Sequence, residues 1–133
     1  MGSLERMFNP KVVALIGATD REGSVGLALL KNLLKNNGDG DRKIYPVNPN
    51  RESVLGLKCY PTIQDVPEHV DLAVIATPAK TVPKLVEMCG EAGVEGVVIV
   101  SAGFRETGEE GKKLEEEIKK IKSKYGLRIL GPN

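Results

Sequence analysis

Short apolar runs without polar alternation recur at 11–16, 44–47, 72–76, 97–100 and 127–130, separated by stretches with helical spacing. A strand with one wet face alternates apolar and polar residues, so unbroken Val, Ile and Leu runs read as strands buried on both faces, as in a parallel sheet. Between them, Leu27, Leu30, Leu33 and Leu34 form a helical stripe that stops at Asn36-Asn37-Gly38. Val82, Leu85, Val86 and Cys89 form a second, ending near Gly90 to Gly93, and Leu114, Ile118 and Ile121 a third over about Glu109 to Tyr125. The third carries Glu115 four residues before Lys119 and Glu116 four before Lys120, the spacing of a solvated, ion-paired helix face. Val54 to Val70 is irregular, with a short strand expected at Leu57-Lys58-Cys59-Tyr60 and a helical turn at Ile63 to Val66. Crossovers between parallel strands are right-handed. The chain is therefore expected to fold as an α/β, Rossmann-like doubly wound parallel sheet of about five strands in the order 3-2-1-4-5, with helices on both faces.

Ligands of such sheets bind beyond the carboxyl ends of the strands, where the strand order reverses beside strand one. That rule singles out the loops 17–26, 47–51, 77–81, 101–107 and 131–133. The first, Gly17-Ala18-Thr19-Asp20-Arg21-Glu22-Gly23-Ser24-Val25-Gly26, is a glycine-rich turn opening a helix. Glycine admits positive φ and close approach of another molecule, and a helix N-terminus offers unpaired N–H groups, so such a turn suits an anion, above all phosphate. It is not a Walker A loop, because five residues separate Gly17 from Gly23 and no lysine precedes Ser24. Nor is it G-x-G-x-x-G, because Thr19 takes the second glycine position. The second loop, Asn48-Pro49-Asn50-Arg51, lacks the acid that holds the ribose 2′-hydroxyl in NAD sites and offers Arg51, a bidentate phosphate ligand. A phosphorylated ribose follows, which leaves NADP or coenzyme A. The third loop, Thr77-Pro78-Ala79-Lys80-Thr81, opens a helix with proline in its first turn, and Lys80 could contact a phosphate there but reads rather as solvated. The fourth, from Ser101, is small and pliable, and no loop carries a catalytic constellation.

At 133 residues the chain fits one domain, 1–133. Its 19 basic residues balance 18 acidic ones, so no global field draws nucleic acid or an anionic membrane, and 4% aromatics offer few platforms for bases. No run spans a membrane and the N-terminus lacks a signal-peptide core, so the chain is read as cytoplasmic. Cys59 and Cys89 lie in apolar contexts and read as small buried hydrophobes. With His69 the only histidine, no metal-ligand cluster is expected.

Several segments together resemble one family: Asn9-Pro10-Lys11 with Val12 to Thr19, Gly23-Ser24-Val25-Gly26, Ile44-Tyr45-Pro46-Val47-Asn48-Pro49, Gly56-Leu57-Lys58-Cys59-Tyr60-Pro61, Asp71 to Ile75, Pro78-Ala79, Ser101-Ala102-Gly103-Phe104 and Gly131-Pro132-Asn133. In order and spacing they look like the N-terminal CoA-binding domain of the NDP-forming acyl-CoA synthetases, the group of the succinyl-CoA synthetase α subunit and ADP-forming acetyl-CoA synthetase. The resemblance implies that Gly17, Ala18, Thr19, Asp20, Arg21, Gly23, Ser24 and Val25 hold the phosphates of CoA. It implies that Arg51, beside Asn48 and Pro49, binds the nucleotide end, and that Thr77, Pro78 and Ala79 with Val100, Ser101, Ala102 and Gly103 line the rest of the groove. Family members continue past Gly-Pro-Asn into a domain with the phosphohistidine and work with an ATP-grasp unit. The chain is thus expected to be the N-terminal piece of a longer synthetase, inactive alone, with CoA or acyl-CoA and the further synthetase domains or ATP-grasp subunit as partners. His69 matches no catalytic position and reads as an exposed loop residue. Two other readings are a stand-alone regulatory CoA-binding protein and an NADP-binding dehydrogenase or redox-sensor domain.

Overall fold

The computed structural model describes residues 9–35, 37, 41–101, 104 and 108–131. In chain order, β1 (Val12–Ile16) leads to α1 (Val25–Lys35) and β2 (Lys43–Val47), and then to the two-residue strands β3 (Ser53–Val54) and β4 (Leu57–Lys58). A 3-10 turn at Ile63–Asp65 precedes β5 (Leu72–Ile75), a second at Ala79–Thr81 runs into α2 (Val82–Glu91), and β6 (Gly96–Ile99), α3 (Glu109–Tyr125) and β7 (Arg128–Leu130) complete the order. Expected and observed elements agree to within a residue or two, the usual uncertainty of an element's end.

β2, β1, β5, β6 and β7 form one sheet in that order, every neighbouring pair parallel. Counted over the five long runs the order is 2-1-3-4-5. With the segment ending at Tyr60 counted third, because Tyr60 bridges Val47 in parallel outside β2, the order reads 3-2-1-4-5 as expected, with β7 as a sixth strand at the far edge. Pro46 is compatible with β2 because only that short bridge flanks the strand's outer side, where Tyr60 donates its N–H to the Pro46 carbonyl at 3.0 Å.

Alternate residues of each strand face opposite layers. Val13, Leu15 and Val74 pack with Leu30 of α1, whereas Ala14, Ile16, Ala73, Ile75, Val97 and Ile99 pack with Val82, Val86 and Cys89 of α2 and Ile118 of α3. Helices therefore cover both faces. Each fully buried Leu or Val here contributes about 1.5–3 kcal/mol. β7 departs from the expectation of a doubly buried strand: Arg128 and Leu130 are exposed, because β7 is the sheet edge. Asp71 ties the lower ends of two strands together, its buried carboxylate accepting the Lys11 and Val12 N–H groups at 2.9 and 3.0 Å.

α2 ends at Glu91, inside the expected stretch 90–93, and Gly90 lies in its last turn. A Cβ there would meet the Tyr125 ring at 2.5 Å, so the missing side chain lets α3 seat on α2. Lys124 then pairs with Glu87 across the two helices at 3.0 Å. Among the described residues, the expected pairs Glu115–Lys119 and Glu116–Lys120 do not close within salt-bridge distance. β3 and β4 form an antiparallel hairpin joined by Leu55 and Gly56, at φ +50° and +80°. Two positive φ values are the signature of a type I′ turn, which rarely takes leucine; the sequence accordingly shows only half of the hairpin. Cys59 and Cys89 are buried free thiols, as expected, and burial pushes the Cys89 thiol up to about 12. Among the described residues, no helix is long and apolar enough to cross a membrane.

Candidate functional site

The strand order reverses at β1, with β2 on one side and β5 on the other, and the first loop leaves from that point. Gly17 turns the chain at φ +101° and donates its N–H to the Val47 carbonyl at 2.9 Å, while Ala76 donates to Ile16 at 2.9 Å. A Cβ on Gly17 would lie 2.8 Å from the Ala76 carbonyl oxygen, so no other residue fits between the strand ends. Nine residues on, Gly26 brings the start of α1 onto the Gly17 carbonyl. Ser24 caps that helix, its Oγ accepting the Leu27 N–H at 3.1 Å and donating to the Arg21 carbonyl at 2.7 Å. The N–H groups of Val25 and Gly26 precede the first intrahelical bond and stay available at the helix end.

Asn48 joins the second loop to the first. Its Nδ2 donates to the Ala18 carbonyl at 2.9 Å, and its Oδ1 accepts the Asn50 N–H at 2.8 Å, so an Asx turn shapes Pro49-Asn50. Arg51 reaches back over the first loop, with Nε 3.3 Å from Asp20 Oδ1 and Nη2 donating to Thr19 Oγ1 at 3.4 Å. In the third loop, Thr81 Oγ1 is 2.6 Å from the Pro78 carbonyl oxygen and 2.7 Å from the Thr77 hydroxyl. The carbonyl can only accept, so Thr81 donates to it and receives the proton of Thr77.

These loops enclose a cleft of about 700 Å³. That lies within the range of small-molecule sites, about 300–1,000 Å³. Gly17, Asn48, Pro49, Thr77 and Pro78 line it, all singled out in the sequence. Lys80 lines it too, exposed as expected and 3.4 Å from Glu110, so a solvated cation stands at the rim. Pro61, Thr62 and Met88 were missed, because the irregular segment and the face of α2 reach the cleft only through tertiary packing. Thr19, Asp20, Arg21, Gly23, Ser24 and Val25 stand on the adjoining turn rather than in the cleft wall. Arg51 lines a neighbouring hollow of about 500 Å³ with Lys58 and Cys59, whose thiol burial pushes up.

Only part of the fourth loop lies among the described residues. Ser101 is buried and its Oγ donates to the Ile75 carbonyl at 3.4 Å, Val100 is exposed outside the cleft, and Ala102 and Gly103 lie outside the described residues. Ala79 and Ala18 are buried behind their loops. His69 is half exposed, 3.4 Å from Glu95, and does not line the cleft. Among the described residues, no three His, Cys, Asp or Glu side chains gather as a metal site.

Comparison with known proteins identifies the domain. The family model of the CoA binding domain matches residues 11–133. The chain is 51% identical over 130 residues to an ADP-forming acetate–CoA ligase I of Archaeoglobus fulgidus, covering 98% of this chain and 18% of the relative. It is 48% identical over 135 residues to the α subunit of an ADP-forming acetate–CoA ligase I of Pyrococcus furiosus, covering 98% and 29%. Among solved structures, a dinucleotide-forming acetyl-coenzyme A synthetase 1 of Candidatus Korarchaeum cryptofilum, in complex with phosphate and ADP, superposes with a TM-score of 0.88 at 43% identity, covering 98% of this chain and 27% of that one. The chain thus spans under a third of the length of these relatives. A glycine turn at the sheet's switch point, a cleft of ligand size beside it and a family match over nearly every residue converge, and the chain belongs to the CoA binding domain family.

Proposed function

We propose that residues 1–133 form a coenzyme A-binding domain that acts as the N-terminal module of an ADP-forming acyl-CoA synthetase. The observation that carries this reading is the apposition of Gly17 and Gly26 beside a cleft into which the ends of β1, β2 and β5 open. In this reading Gly17 to Val25 cradle the phosphates with backbone N–H groups and the end of α1. Arg51 takes the 3′-phosphate on the ribose, and Asn48 and Pro49 shape the nucleotide end. Thr77, Pro78 and Ala79 guide the pantetheine arm, which passes Val100 to Gly103 on its way out of the domain. The chain's residues bind and orient; by holding the thiol in place they remove the entropy of bringing it to an acyl group activated elsewhere. That activation belongs to further synthetase domains or an ATP-grasp subunit, and no residue of this chain is assigned a catalytic role.

Calorimetric titration of CoA against 3′-dephospho-CoA tests the reading. CoA is expected to bind more tightly, and Arg51→Ala to erase most of the preference. A folded sample that ignores CoA refutes the proposal, and a thermal shift with NADPH but none with CoA points to a nicotinamide site instead.

A further inference from the structure

Arg51 is held by three groups, two of them on the first loop. Nε lies 3.3 Å from the Asp20 carboxylate as an ion pair, Nη2 donates to the Thr19 hydroxyl at 3.4 Å and Nη1 to the Asn50 carbonyl at 3.5 Å. A guanidinium carries five N–H donors in a planar fork, so these contacts leave one donor on each terminal nitrogen. Asp20 and Thr19 stand on the first-loop side of the fork. The remaining terminal N–H groups are left for phosphate oxygens.

Asp20 therefore does two opposed things. It restrains the guanidinium so that the remaining donors are presented before any ligand arrives, which spares the ordering of a flexible side chain. It also places a negative charge within a few ångströms of wherever an anion on those donors must sit. Both side chains are more than a third exposed, so the repulsion is screened by solvent and salt without being abolished.

We propose that Asp20 is a built-in competitor for the ligand's phosphate, a specificity-determining residue that limits how tightly the site holds a phosphorylated ribose and how strongly it prefers one to an unphosphorylated ribose. This rests on the assignment of the CoA 3′-phosphate to Arg51. Asparagine separates the two effects, because its side-chain oxygen keeps a polar atom beside Nε while the charge is gone.

Titrating CoA and 3′-dephospho-CoA into the protein, Asp20→Asn, Arg51→Ala and the double variant tests it. Asp20→Asn is expected to bind CoA about two- to fivefold more tightly, the range of an exposed ion pair. Dephospho-CoA should bind it as it binds the parent, and the gain should vanish when Arg51 is alanine. An unchanged or weaker affinity for CoA in Asp20→Asn, while Arg51→Ala still erases the preference, overturns the role of Asp20 and leaves that of Arg51 standing. A gain shared equally by dephospho-CoA overturns it as well, since a charge acting on the 3′-phosphate cannot produce it. If Arg51→Ala keeps the full preference, the assignment of Arg51 fails and this inference fails with it.

Discussion

Gly26 lies directly against Gly17: a Cβ built on Gly26 would sit 2.2 Å from the Gly17 carbonyl oxygen. The contact seats the start of α1 on the end of β1, and backbone rather than a flexible side chain is what the added carbon would strike. Gly26→Ala is expected to lower the unfolding free energy by about 1–3 kcal/mol, as overpacking does, and to weaken CoA binding by opening the turn. Gly23 is the control. At φ +80° with nothing within 4 Å of its absent Cβ, Gly23→Ala should cost only the left-handed backbone, about 1–2 kcal/mol. Urea unfolding and CoA titration of both variants check this; a Gly26→Ala that binds CoA as the parent does contradicts it.

Asp71 is buried and its Oδ2 takes two backbone N–H groups from the start of β1. Asp71→Ala leaves both donors without a partner, at about 1–3 kcal/mol each, so the variant should lose about 3 kcal/mol while retaining the fold. Asp71→Asn keeps one acceptor oxygen and should lose less. Denaturant midpoints at constant slope give the comparison.

Tyr45 donates a hydrogen bond to Glu68, which also pairs with Lys43 at 3.1 Å. The bond to Glu68, helped by burial, pushes the Tyr45 hydroxyl up to about 12, and the same bond together with Lys43 holds the Glu68 carboxyl below its ordinary value. A raised tyrosine contributes stability that is complete below its unfolded value, about 10, and is lost as pH rises through about 12. A lowered carboxyl contributes above its unfolded value, about 4.3, and that part is lost as pH falls through the lower folded value. Tyr45→Phe should therefore flatten the stability profile at both extremes and leave pH 7 as the region of greatest difference. Chemical denaturation across the pH range decides; parallel profiles for the two proteins would show that the pair is not formed.

Lys80 stands at the mouth of the cleft and is highly exposed, its partner Glu110 likewise. Removing such a pair changes stability by well under about 1 kcal/mol. Lys80→Ala should therefore unfold like the parent but bind CoA about threefold more weakly, with the deficit shrinking in high salt as the lost charge is screened. An equal deficit at low and high salt would assign Lys80 a packing role instead.

Cys89 is fully buried with its thiol pushed to about 12, and burial raises Cys59 as well. Only the thiolate reacts, so both should resist a thiol reagent at pH 8 until the protein unfolds. Mass spectrometry after native and denaturing labelling reads the result, and rapid native labelling of Cys59 would mean that the loop holding it opens.

The alternation of strands and helices was legible because its signal is local. A helix exposes its apolar stripe at fixed spacing whatever it packs on, so Leu114, Ile118 and Ile121 announce a helix over Glu109 to Tyr125, and the structure ends it at those residues. Unbroken runs such as Val12 to Ile16 announce a sheet buried on both sides, and the rule for such sheets then places the ligand loops. The turn at Leu55-Gly56 was not legible, because leucine is a poor marker of positive φ.

By itself, the sequence determined the element order, the parallel sheet, the buried thiols and the loops from which a site could be made, all properties of short windows or of strand connectivity. Tertiary structure alone decided which of those residues meet. Arg51 touches Asp20 and, 32 residues away, Thr19, Asp71 holds Val12 across 59 residues, and Lys80 joins a cleft with Asn48. Such contacts depend on how two faces of a sheet are covered and where its strands end. No periodicity records them, because the chain between the partners is free to take any length that closes the loop.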